Sequence, residues 1–480
     1  MSLTKLATPH FPLAAGLRFR YQQEMPTMTR IVISLCVLLL ACLGRPAAAD
    51  LAQPGAFAAG FRTVTVTRAN GSTFTARLFY PATSPGENAP VDPSGGPYPG
   101  VSFGHGFVQP VGNYQSTLLH LATHGYLVIA TNSEGGLFPS HANFAADILR
   151  CLTWLEEQHA QPGSLLEGLV RVGAFGLSGH SMGGGAAILA ASDPRIRAIV
   201  PLAAANTNPS SIAASSNFFV PVRHIVGSQD TIVIPATTVQ MFNNSARAKQ
   251  FVNLQGGFHC GFVEAQGFGC DSGSMSRSDQ LAYVRRQMTE FFDLYLKGDE
   301  SVWQAVWDAE ADPRVGLTSS PDSRIDPSAQ TLTLRTGARR LLNATVTNLG
   351  PDLGLFAIET DGTPWTVDSQ PGLVGPVDPG ASETAVLSLA PPAGAEPGAV
   401  ILRLAARSLR DGGTRSVAQI EINLECGGDF DRNGSVDFFD IQTFLQAFLS
   451  AQPDADYTGN GSFDFFDLQA FLAVFAAGCD

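Results

Sequence analysis

At 480 residues the chain is too long for one ordinary domain, and its balance of 45% hydrophobic to 15% charged residues is that of a globular protein. A formal net charge of −13 leaves no basic face to neutralise phosphates, which argues against a nucleic-acid partner. The acidity is uneven: from Cys426 onward the only basic residue is Arg432, and a tail of that kind either repels its surroundings or holds cations.

The first element reads as an export signal. "MTRIVISLCVLLLACLGRPAAAD" opens at Met28 with a basic residue, runs apolar from Ile31 to Leu43 and ends in Ala47, Ala48 and Ala49 before Asp50. The apolar run is short for a bilayer span. Residues 1–49 are therefore expected to be a signal region with its start at Met28, leaving a mature chain without a transmembrane segment, extracellular or associated with the cell surface. Lipoprotein processing at Cys42 in "LLAC" is the alternative, and the small residues at 47–49 fit it less well than ordinary cleavage. Five cysteines then remain, in what reads as an oxidising compartment. Cys260 and Cys270 close a short glycine-containing loop, Cys426 and Cys479 bracket the acidic tail, and Cys151 lies on a helical stretch. Two disulfides and one buried thiol are expected.

From about Phe61 to Trp307, strand-like runs alternate with amphipathic stretches. "YPGVSFGHG", "YLVIATN", "VGAFGLSGH", "IRAIVPLAA" and "VPVRHIVGS" read as strands, while "YQSTLLHLATHG", "FAADILRCLTWLEEQ" and "MGGGAAILAAS" read as helices between them. That rhythm predicts an α/β domain over residues 55–310, a mostly parallel sheet with helices on both faces, closed by the long amphipathic helix in "SDQLAYVRRQMTEFFDLYLKG".

Inside this block, residues 179–185 read "GHSMGGG". A GxSxG match alone is weak in a chain with 49 glycines. Here, however, Ser181 sits between a strand and a helix, where a sharp turn exposes its hydroxyl above the sheet. A serine hydroxyl needs a base to take its proton, and the base needs an acid to orient it. In α/β-hydrolase folds these follow in the order serine, acid, histidine. Between Ser181 and the last histidine the only carboxylates are Asp193 and Asp230. Asp193 in "ASDPR" reads as a turn residue, whereas Asp230 follows a strand at the ligand-binding edge of the sheet. His259 is the only histidine after Asp230. Ser181, Asp230 and His259 are therefore the candidate triad, with the N–H groups of Met182 and of Phe107 in "VSFGHGFVQ" as candidate oxyanion donors.

The stretch from about Phe61 to Lys297 resembles the cutinase-like polyester hydrolases, which include enzymes acting on poly(ethylene terephthalate), and more loosely the dienelactone hydrolase and platelet-activating-factor acetylhydrolase groups. "GHSMGGG", "LATHGYLVIATN", "DTIVIPA" and "AKQFVNLQGGFH" carry the likeness. It implies an α/β-hydrolase fold, the triad and oxyanion pair just named, and ester hydrolysis through an acyl-enzyme with no catalytic cofactor. Where that family carries a tryptophan on the strand in "IVPLAAAN", this chain has Ala205 or Asn206, so an aromatic clamp for aromatic polyesters is missing.

Between Asp312 and Ser328 the chain turns to proline, aspartate and serine and reads as a linker. Short alternating runs such as "LLNATVTNLG", "ETAVLSLA" and "VAQIEINLE" then predict a small all-β sandwich, Ig-like, over 326–425. It has no histidine or cysteine and a single tryptophan, Trp365, so a spacer role is favoured over sugar binding.

In the tail, "DFDRNGSVDFFDIQTFLQAF" from Asp429 recurs as "DYTGNGSFDFFDLQAFLAVF" from Asp456. Asp429, Asp431, Asn433, Ser435, Asp437 and Asp440 have the oxygen spacing of a calcium loop with Gly434 at its turn, and Asp456, Thr458, Asn460, Ser462, Asp464 and Asp467 repeat it around Gly461. Thr458 in place of an aspartate predicts that the second Ca2+ site is the weaker. With an apolar helix after each loop, residues 426–480 resemble a dockerin, a small all-α calcium-binding domain. That likeness implies a cohesin-like partner or a cell-surface anchor.

Taken together these features predict a secreted serine carboxylic-ester hydrolase, cutinase- or polyesterase-like, acting on an ester or polyester. Two rivals are an acetyl or feruloyl esterase on cell-wall polysaccharide, and a non-catalytic adhesion protein that retains a hydrolase fold.

Overall fold

The computed structural model describes residues 50–479 apart from 247, 266, 268, 308–311, 351 and 410–414. The signal region expected over 1–49 lies outside the described residues.

Ten strands make the main sheet: β1 (Ala58–Thr67), β2 (Thr73–Ala82), β3 (Gly86–Glu87), β4 (Tyr98–Gly104), β5 (Leu127–Thr131), β6 (Val170–His180), β7 (Ile196–Leu202), β8 (Val222–Gly227), β9 (Lys249–Leu254) and β10 (Val315–Ser320). Their order across the sheet is β10-β9-β8-β7-β6-β4-β5-β2-β1-β3. The centre, from β9 through β5, is parallel. Alternate residues of its strands feed two separate apolar clusters. Phe103, Val128, Ala130 and Val200 enter one, with the helices Gln115–Thr123 and Arg277–Phe292. Ile129, Leu177, Ile196 and Ile199 enter the other, with the helices His141–Ala160 and Met182–Ala190. Strands buried on both faces read as continuous apolar runs because each pleat has a helix to meet. Full burial of each such side chain contributes roughly 1.5–3 kcal/mol.

The strand-like runs of the sequence cover β4 to β8; β1, β2, β3, β9 and β10 are additional. β1 and β2 form an antiparallel hairpin whose signal is the alternation of Thr63, Val64, Thr65 and Val66 before Asn70 and Gly71, with Gly71 at φ 84°. β9 carries the "AKQFVNLQGG" stretch as a parallel neighbour of β8.

The stretch 312–328 is not the linker its composition suggests. Val315–Ser320 pairs antiparallel with β9 and closes that edge of the sheet, so the main sheet extends past residue 310. Ser323–Pro327 then joins a second sheet through Arg340–Asn348. An unpaired sheet edge offers a full row of backbone partners, and that pairing outweighs weak local strand propensity.

Two further sheets follow. One has four strands in the order Ser323–Pro327, Arg340–Asn348, Ser382–Leu389, Asp368–Gln370; the other has five, Thr331–Arg335, Arg415–Glu425, Gly398–Ser408, Gly354–Asp361, Leu373–Val377. Residues of both, among them Ala344, Leu387, Leu404 and Ile420, share one buried cluster. Trp303 and Trp307 belong to the first apolar cluster of the main sheet, which also takes in Ala405 and Val417.

The repeat forms two helices, Phe438–Leu449 and Phe465–Ala477, each capped by an aspartate, Asp437 or Asp464. Phe444 and Phe471, equivalent in the two copies, stack at 4.0 Å between ring centroids. Arg335 donates to the carbonyls of Asp429 and Phe430 and lies over the Phe430 ring, tying the tail to the five-stranded sheet. Cys260 with Cys270 and Cys426 with Cys479 are both at disulfide distance, and Cys151 is a buried thiol. Among the described residues no helix is long and apolar enough to cross a membrane.

Candidate active site

Ser181 joins β6 to the helix Met182–Ala190 and sits at φ 55°, ψ −116°. A non-glycine residue at positive φ is strained and persists only where its surroundings over-determine it. Its N–H donates to the Leu202 carbonyl, and its own carbonyl accepts from Gly185 and Ala205. Backbone contact makes the glycines beside it necessary. A Cβ on Gly183 would collide with the carbonyl of Gly104, and one on Gly179 with Gly183 itself. Gly183→Ala should therefore push the loop after β4 away from the elbow. An overpacking cost of about 1–3 kcal/mol is expected, read as a lowered midpoint in thermal or urea unfolding.

Asp230 lies just beyond β8. One carboxylate oxygen accepts the N–H groups of Ile232 and Val233 at 3.0 and 2.7 Å, and the other faces His259 Nδ1 at 2.7 Å. His259 begins the short turn His259–Phe262 after β9. All three side chains are largely enclosed, with Ser181 8%, Asp230 3% and His259 5% exposed. His180, next to Ser181, lies against His259 at 4.5 Å between ring centroids with the planes tilted by 42°, so the bonded Asp230–His259 pair lies beside the residue that precedes Ser181. Burial first, and then the charge of His259, hold His180 well below the usual histidine range and keep it neutral.

Tyr114 was not singled out by the sequence. Its buried hydroxyl accepts from Gly106 N–H and bonds His180 Nδ1, both at 2.9 Å, linking the loop of Phe107 to the residue before Ser181. Met182 opens its helix, so its N–H has no carbonyl of that helix four residues back. Phe107 lies in the loop after β4 with its ring half exposed.

Asp193 and two further histidines have other partners. Asp193 forms a fork with Arg195 at 2.9 Å through each oxygen, and those hydrogen bonds hold its carboxyl below the usual range. His105 bonds the carbonyls of Gly106 and Ser133. His224, fully buried on Ser245, is pushed down to about 3 by burial and then by Lys249. Ala205 is half buried beside the elbow, while the exposed Asn206 accepts from Ser210 and Ile212.

In the tail, Asp429, Asp431 and Asp440 present oxygens that all lie within 4.8 Å of one another. The N–H groups of Asn433 and Gly434 hold Asp429, while Asp440 is buried and accepts from Asp431 and Asp437. One carboxylate oxygen each of Asp437 and Asp464 caps the following helix by accepting the N–H groups of Phe439 and Phe466. Burial pushes the Asp467 carboxyl up, but the N–H groups of Asp464 and Thr458, with the Thr458 hydroxyl, outweigh it and hold the group below its ordinary value.

A helix-covered, centrally parallel sheet with its candidate residues on the loops at the strands' carboxyl ends defines an α/β-hydrolase type of protein. Residues 45–290 match the family model described as PETase, PET hydrolase-like, and the chain belongs to that family, a hydrolase of the polyester or ester type. A comparison with curated proteins found no match.

Proposed function

We propose that the chain is a serine carboxylic-ester hydrolase working through an acyl-enzyme, with Ser181 as nucleophile, His259 as base and Asp230 as its orienting acid. The observation that carries this reading is the buried 2.7 Å Asp230–His259 pair beside a strained serine elbow. His259 Nε2 takes the Ser181 proton as Oγ adds to the ester carbonyl, and Asp230 keeps Nδ1 protonated and stabilises the imidazolium. The neutral His180 adds no opposing charge beside it. The N–H groups of Met182 and Phe107 receive the oxyanion. His259 then hands its proton to the departing alcohol, and water repeats the sequence on the acyl-enzyme. Covalent labelling by a fluorophosphonate, located on Ser181 by peptide mass spectrometry, tests the assignment; a label on another serine overturns it.

A polymeric apolar ester is the favoured substrate because of the loops around the site. Phe107, Leu137, Phe138, Ile232 and Ile234 are exposed large apolar residues on the loops after β4, β5 and β8, the same sheet edge as Ser181, and Phe138 is 97% exposed. Apolar rims of this kind mark surfaces that meet other apolar surfaces. Leu137→Ser with Phe138→Ser should lower polycaprolactone film erosion several-fold and leave p-nitrophenyl butyrate turnover within about twofold. Wild type should erode polycaprolactone faster than poly(ethylene terephthalate), since Ala205 or Asn206 forgoes an aromatic contact of about 0.5–1.5 kcal/mol. The reverse order on the two films would refute the missing-clamp account. The cell-wall esterase alternative draws only on the dockerin likeness, and the adhesion alternative leaves the strained elbow without a role.

The remaining assignments belong to the same reading. The chain is secreted, supported by the signal pattern at 28–49 and the two cysteine pairs. Residues 55–320 form the catalytic unit, 323–425 an Ig-like sandwich acting as spacer, and 426–480 a dockerin-like tail offered to a cohesin-like partner or a surface anchor. Asp429, Asp431 and Asp440 fit a hard divalent cation such as Ca2+, because their oxygens converge and the loop's N–H groups already orient them. The cation would order the tail and takes no part in ester hydrolysis.

A further inference from the structure

We propose that Asp271 is a positioning residue that locks the loop carrying His259 to the loop carrying Asp230. One oxygen of its carboxylate accepts the N–H of Thr231 at 3.2 Å and that of His259 at 2.9 Å; the other accepts the N–H of Cys260 at 2.9 Å. Thr231 adjoins Asp230, and Cys260 adjoins His259. A single carboxylate thus gathers backbone donors from both sides of the acid–base pair. Asp271 is itself anchored, since it follows Cys270, whose sulfur meets Cys260. Beyond it, Ser274 N–H donates to the Gln229 side chain and Met275 N–H to the Gly256 carbonyl. The segment is therefore hydrogen-bonded to both loops.

The chemistry calls for a carboxylate at this place. All three partners are donors, so both oxygens must accept. Asparagine would turn an NH2 group toward at least one of those N–H groups and replace attraction by repulsion, with almost no change in shape. The 2.7 Å bond between Asp230 and His259 depends on where two separate loops end. Misplacement by about 1 Å can cost about 100-fold in rate. Asp271 touches neither substrate nor the reacting atoms; it acts through the backbone of the residues that do.

The inference rests on the triad reading, and the test separates the two. Full-length Asp271→Asn and Asp271→Ala are assayed on p-nitrophenyl butyrate beside wild type and Ser181→Ala. Molecules with a competent elbow are counted by exhaustive fluorophosphonate labelling, and the Cys260–Cys270 bond is checked by thiol titration. Both Asp271 variants should lower kcat per labelled molecule by about 10- to 100-fold with KM within about twofold, and the asparagine should be as damaging as the alanine. If kcat per labelled molecule stays within twofold of wild type, the residue only supports folding and the proposal is overturned. Poor folding of the alanine variant leaves the isosteric asparagine to decide. Turnover surviving in Ser181→Ala would instead sink the triad reading, whatever Asp271 does.

Discussion

Ser181→Ala should lower kcat for p-nitrophenyl butyrate by about five to six orders of magnitude, and His259→Ala should be as damaging, because either change removes the attacking pair as a unit. Asp230→Asn should cost about 10⁴-fold, somewhat less than the other two, since it keeps the ring in place but favours the wrong tautomer. The structure adds a reason to expect a large effect at Asp230. One of its oxygens is already committed to Ile232 and Val233, so the oxygen facing His259 has no freedom to turn elsewhere. KM should change little in all three, as none of these groups grips the ground-state ester more than its transition state. Turnover in Ser181→Ala above a thousandth of wild type would place the nucleophile elsewhere.

Removal of the calcium proposed for the first loop should have the second largest effect, and a purely local one. Three carboxylates within 4.8 Å of one another repel by several kcal/mol in total at a protein surface unless a cation lies between them. The small core beneath, with Phe430, Phe444, Tyr457 and Phe471, has little apolar area to offset that repulsion. In full-length protein, a chelator should speed amide exchange at Asp431, Asn433, Gly434 and Asp440 by about 100-fold, and calcium should restore protection. The second loop should respond at higher calcium concentration, because Thr458 stands where the first copy has Asp431. Ester hydrolysis should be indifferent to both treatments. Exchange rates unmoved by chelator would refute the cation assignment.

What local sequence determines by itself is most visible around Ser181. Strand periodicity, the glycines at 179 and 183 and the order serine, acid, histidine are properties of neighbouring residues and chain order, so the central strands and the candidate triad can be read without coordinates. The β1–β2 hairpin is equally legible in the alternation of Thr63 to Val66 and in its Asn70-Gly71 turn. Other features are decided by the tertiary structure alone. Val315–Ser320 has turn-rich neighbours and becomes a strand only because β9 leaves an edge to pair with. Tyr114 and Asp271 lie in no motif; each matters through partners far along the chain, His180 for one and Thr231 for the other. Hydrophobic period and turn chemistry act over a few residues, so they are written in sequence. Which backbone N–H meets which distant carboxylate depends on how the sheet, once folded, brings its loops to a common edge.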